Sequence, residues 1–144
     1  MPNPPVDPFP TVTLKVPYLK ETLDLLRDPA LERVVVILHT HSAEESEWVL
    51  ANVAARLARS RIPTFGPEQY RPVEMIEQAL REKKRIALVG DIRRVEDGHA
   101  MKTAAGMGLR LVATVPVIAK SDFENVVAEL GPWRNVNLST FTRG

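Results

Sequence analysis

The chain contains no cysteine. Disulfide frameworks and thiolate metal sites are therefore excluded. Neither sign of charge dominates. The net charge is +1, so composition gives no pull toward nucleic acid or an anionic membrane surface. No apolar run approaches bilayer-spanning length, and the N-terminus lacks the apolar core of a secretory leader. No membrane insertion and no nucleic-acid partner are expected, and the expected compartment is the cytoplasm. A nucleophile elbow of the G-x-S-x-G type, a cysteine–histidine pair and a dinucleotide-binding glycine fingerprint are all missing. Internal repeats are missing too.

What is present is enough for one domain of 144 residues, 44% of them apolar. Five of the twelve prolines fall in residues 1–10, which predicts an extended or disordered arm ahead of a single α/β domain over 11–144. Alternation of Val12, Leu14 and Val16 predicts a short edge strand over Thr11–Val16. Tyr18–Arg27 has helical spacing and is stopped by Asp28-Pro29. Arg33–Leu38 is a β-branched run suited to a strand buried on both faces.

Ser42-Ala43-Glu44-Glu45 opens the next helix as a capping box, running to about Arg59. Arg61–Phe65 is a candidate short strand, and Pro72 starts a further helix. Then come a strand over Arg85–Gly90, a helix over Glu96–Met107 and a strand over Leu109–Val115. Ser121-Asp122-Phe123-Glu124 offers a second capping box, and Val136, Leu138 and Thr140 alternate in a terminal strand. Such alternation of strands and helices predicts a three-layer α/β architecture, a mostly parallel sheet with helices on both faces.

The wording of Arg85–Glu129 carries more than periodicity. A buried strand ends in Gly90-Asp91-Ile92-Arg93. A helix then ends in Thr103-Ala104-Ala105-Gly106-Met107-Gly108, and a strand follows with Leu111-Val112-Ala113-Thr114. In order and spacing this resembles the ATPases of type II secretion and of type IV pilus retraction (twitching motility). The resemblance covers roughly Arg33–Leu130 and implies a reduced P-loop NTPase or RecA-like core. In that family a P-loop follows the buried strand, and a glutamate stands where this chain has Asp91.

Laid on the family's G-x-x-G-x-G-K-[ST] pattern, His39, Ser42 and Glu44 replace the three glycines and Glu45 replaces the lysine. Only Ser46 matches. Glycines let backbone amides close round a phosphate, and the lysine supplies a positive charge. A carboxylate in its place, at ~4 Å from a phosphate, costs up to about 4 kcal/mol near a protein surface. Glu44, Glu45 and Glu47 also crowd the helix end that would have drawn the anion. The residues of this degenerate nucleotide site are His39, Thr40, His41, Ser42, Glu45, Ser46, Asp91 and Arg93.

The resemblance therefore implies a non-catalytic, pseudo-ATPase domain with no cofactor and no catalytic residue, acting on a protein partner such as a pilus or secretion component. The helix bearing Glu44, Glu45 and Glu47, or the loop Gly90–Glu96, is the expected contact. Two alternatives stand beside it. His39 and His41 with Asp91 could hold a divalent metal as a hydrolase site. Residual binding of magnesium-ATP could be completed by a partner chain. A small homo-oligomer is also open, since exposed sheet edges pair readily.

Overall fold

The computed structural model describes residues 18–142. The proline-rich arm and the strand expected over Thr11–Val16 lie outside the described residues. Ten elements follow one another: α1 (Leu19–Arg27), β1 (Val34–Thr40), α2 (Ala43–Arg59), β2 (Thr64–Phe65), α3 (Pro72–Arg81), β3 (Ile86–Asp91), α4 (Val95–Gly106), β4 (Arg110–Pro116), α5 (Lys120–Glu129) and β5 (Asn137–Phe141). The five described strands form one sheet, all parallel, in the order β2-β3-β4-β1-β5.

Helices cover both faces, so the inner strands are apolar on both sides. All seven residues of β1 are buried. Val34, Val36 and Leu38 face α1 and α2, packing with Leu23, Leu26, Val53 and Leu57. Val35 and Ile37 face α3, α4 and α5, packing with Ile76, Met101 and Phe123. The continuous β-branched run is therefore divided alternately between two cores. Arg110, at the start of β4, clasps the far end of α1: its guanidinium donates to the carbonyls of Leu25, Leu26 and Leu31 at 2.9, 3.1 and 2.6 Å. A cation there answers the helix dipole as well as the orphan carbonyls.

Ser42 caps α2 as expected, its Oγ accepting from the Glu45 amide at 3.1 Å. The second capping box does not form. α5 starts at Lys120 with Ala119 at its N-cap, so Ser121 lies inside the first turn. Phe123 and Leu130 are buried nonetheless, because the apolar spacing of the helix is unaffected by where its first turn begins.

Candidate functional site: the C-terminal edge of the sheet

In an open parallel sheet, ligands bind outside the carboxyl ends of the strands, where the strand order reverses direction. Here that edge is built from the ends of β1, β4 and β3. β4 lies between the other two. Its Thr114 pairs with Asp91 of β3, and its Pro116 pairs with Thr40 of β1. The register of β3 shifts between Leu88 and Gly90. Gly90 takes φ +89°, a conformation that suits glycine, and this bulge turns Asp91 toward β4. Thr114 Oγ1 donates to Asp91 Oδ1 at 2.6 Å.

The β1–α2 connection is two residues long, His41 and Ser42, because β1 runs through Thr40 and α2 begins at Ala43. His39 is thus a strand residue and not part of a loop. Its ring is buried and stacked on Phe123 with centroids 4.9 Å apart, and Nε2 lies 2.7 Å from the carbonyl oxygen of Val117. His41 is exposed, with its ring edge-on to that of His39 at 5.5 Å. Thr40 and Ser46 are both buried, their hydroxyls 2.6 Å apart, and Ser46 Oγ also donates to the Ser42 carbonyl at 3.2 Å. The one side chain that fits the P-loop pattern therefore points inward, into a local hydroxyl network.

A metal site of His39, His41 and Asp91 needs the strand ends of β1 and β3 to be neighbours, and they are not. With β4 inserted between their strands, Asp91 is engaged with Thr114 instead. Among the described residues no group of three or more His, Cys, Asp or Glu side chains is arranged to hold a metal ion. The set His39, His41 and Asp91 is not brought together.

Asp91 does share a space with Ser46. Both line a cleft of about 220 Å³ between the first turn of α2, the β2–α3 loop and the end of β3. Glu47 and Glu68 line it too, with Tyr70 and Gly90, and no lysine or arginine does. Arg93 is exposed on the other side of Asp91, where it lines a second cavity of about 370 Å³ with Arg71, Arg94, Glu74 and Glu77. The turn carrying it is pinned by Asp97, a buried carboxylate whose Oδ2 accepts from the amides of Arg93 and Arg94 at 2.9 and 3.0 Å.

Three of these residues have no role readable from the sequence: Thr114 as the partner of Asp91, Asp97 as the clamp on the arginine turn, and Glu68 as a third carboxylate of the cleft beside Asp91 and Glu47. Asp97 had a local signal, an acid in the first turn of a helix, where it can cap exposed amides. Thr114 and Glu68 had none, since their roles come from neighbours distant in sequence.

The class is that of a three-layer α/β domain with an all-parallel sheet and its polar residues gathered at the strand ends. The X-ray structure of the Legionella pneumophila ATPase DotB is similar to it. The TM-score is 0.57 at 15% sequence identity, over 81% of this chain and 40% of that one. The likeness shows the fold, and this chain spans two-fifths of the DotB chain. No protein-family model matches the sequence, and no curated protein does. No helix among the described residues is long and apolar enough to cross a membrane.

Proposed function

We propose that this chain is a secretion-ATPase-like domain that has given up nucleotide chemistry and acts through contacts with another protein. The observation that carries the reading is the two-residue connection between β1 and α2. A phosphate cradle needs a loop long enough for several backbone amides to converge on one point. Two residues cannot curl round a phosphate, and the amides of Glu45 and Ser46 in the first helical turn are already engaged. Ser42 Oγ takes the amide of Glu45, and the Ser42 carbonyl takes that of Ser46. Loop length and local charge act in the same direction. The cleft beside Ser46 presents Glu47, Glu68 and Asp91 with no cation, which repels a polyphosphate.

The kind of partner follows from the resemblance of Gly90–Arg93, Thr103–Gly108 and Leu111–Thr114 to pilus and secretion ATPases. A pilus or secretion component is the reading it supports. Calorimetric titration of the chain with magnesium-ATP and with ADP tests the loss of nucleotide chemistry. The expected result is no saturable heat with either; saturable micromolar binding would overturn the reading.

A further inference from the structure

Three arginines at the carboxyl edge of the sheet open on one cavity. Arg93 and Arg94, in the turn after β3, line it with Arg71, which precedes the first turn of α3. Its volume of about 370 Å³ is within the roughly 300–1,000 Å³ of small-ligand sites. None of the three lines the neighbouring clefts. The turn is fixed from beneath. The Ile92 amide donates to the Thr114 carbonyl at 3.0 Å, and buried Asp97 holds the amides of Arg93 and Arg94. Two of the guanidiniums are thus carried by backbone that is set before any ligand arrives.

Three carboxylates, Glu74, Glu77 and Glu96, share the same wall. Among the described residues none of them forms an ion pair with the three guanidiniums. Asp91 and Asp97 also border the cavity, but both are engaged, one by Thr114 and the other by the two amides. Three unengaged positive charges therefore stand with three unengaged negative ones. A plain anion would meet the glutamates as well as the arginines, and a plain cation the reverse. The complement of such a wall is a molecule that carries both charges. Glu77 lies six residues beyond Arg71, roughly 9 Å along α3. The two charges of the ligand should therefore stand several bonds apart. Pro72 and Val73 add apolar lining for what joins them.

We propose that this cavity binds a small zwitterion of the ω-amino-acid class. Its carboxylate sits among Arg71, Arg93 and Arg94, and its ammonium against Glu74 and Glu77. A guanidinium fork matches a carboxylate through two parallel hydrogen bonds. The cavity lies across Asp91 from the β1–α2 connection, so its occupancy does not depend on whether a nucleotide binds there.

Titration of the full chain with ε-aminocaproate, followed at the arginine Nε–H resonances, tests this. Arg71, Arg93 and Arg94 are expected to shift along one saturating curve. Arg110, whose guanidinium already clasps α1, should not shift. Hexanoate and hexylamine each carry one end of the probe and should bind at least about tenfold more weakly. Glycine, whose two charges are adjacent, should be as weak as they are. Glu77 and Arg94 are exposed. Glu77→Gln and Arg94→Gln should leave the melting temperature unchanged and each weaken the probe about tenfold. Hexanoate binding as tightly as the probe would overturn the proposal in favour of a plain anion site. Glycine binding as tightly would overturn the ω-amino-acid assignment. Unsaturating shifts at every exposed arginine would overturn the site itself, because surface charge alone would account for them. So would an unaltered affinity in Glu77→Gln.

Discussion

Thr114 and Asp91 join the tips of two adjacent strands through one short hydrogen bond, 2.6 Å from hydroxyl to carboxylate. Thr114 is fully buried and Asp91 half-buried, so the hydroxyl replaces water that the carboxylate has lost on that side. Thr114→Val keeps the shape and removes the donor. A hydrogen bond to a charged group contributes about 1.5–3 kcal/mol, and a loss of that order is expected from urea unfolding midpoints. Asp91→Ala should cost less in the Thr114→Val background than alone, because the two residues share one interaction. Additive losses would show that the bond contributes nothing.

Two glycines of α4 should respond in opposite directions to alanine. A Cβ on Gly98 would lie 2.4 Å from the carbonyl oxygen of Leu130, whereas one on Gly106 meets nothing within 4 Å. Gly98→Ala should destabilise by about 1–3 kcal/mol although alanine favours helix, because backbone must move to admit it. Gly106→Ala should stabilise by roughly 0.5–1 kcal/mol through helix propensity alone. Thermal melts of both variants decide the matter. Equal effects would mean that α4 and the Leu130 turn are not in close contact.

Restoring the missing charge should not restore the missing activity. Glu45→Lys places a cation at the lysine position of the P-loop pattern, but the connection remains His41-Ser42. Titration of this variant with magnesium-ATP is expected to show no saturable binding. If micromolar binding emerged, charge and not loop length would have been the obstacle.

His39 packs as a core residue, and zinc should make no difference to it. Chelator-treated protein and protein with added zinc are expected to melt at the same temperature, since no three-ligand set stands among the described residues. His39→Phe keeps an aromatic ring against Phe123 but leaves the Val117 carbonyl without the imidazole nitrogen 2.7 Å away. Its expected cost is about 1–3 kcal/mol in urea unfolding, the desolvation penalty of an unmatched polar group.

Periodicity located the elements because burial imposes it locally. Val34–Leu38, Ile86–Val89 and Leu111–Val115 are apolar on both faces, and the helices between them carry apolar residues at helical spacing. The site was less legible. The apolar run of β1 stops at Leu38, so His39 and Thr40 read as loop. Yet the strand continues through both, since Val117 and Ser46 satisfy their polar atoms. Strand order was equally hidden. No local pattern says that β4 enters between β1 and β3, and that insertion is what separates Asp91 from the histidines. The start of α5 is not legible locally, because Ser121 has the chemistry of a cap while Ala119 occupies the position.

The interleaving of β4 also governs when the protein can assemble during synthesis. Val35 is matched to Leu111 on one side and to Leu138 on the other. The most buried strand of the N-terminal half thus emerges from the ribosome long before either flank exists. Sheets closed by such distant pairings fold slowly. Until the last strands arrive, α1 and α2 can cover only the Val34, Val36 and Leu38 side of that strand, and both of its hydrogen-bonding edges stay open.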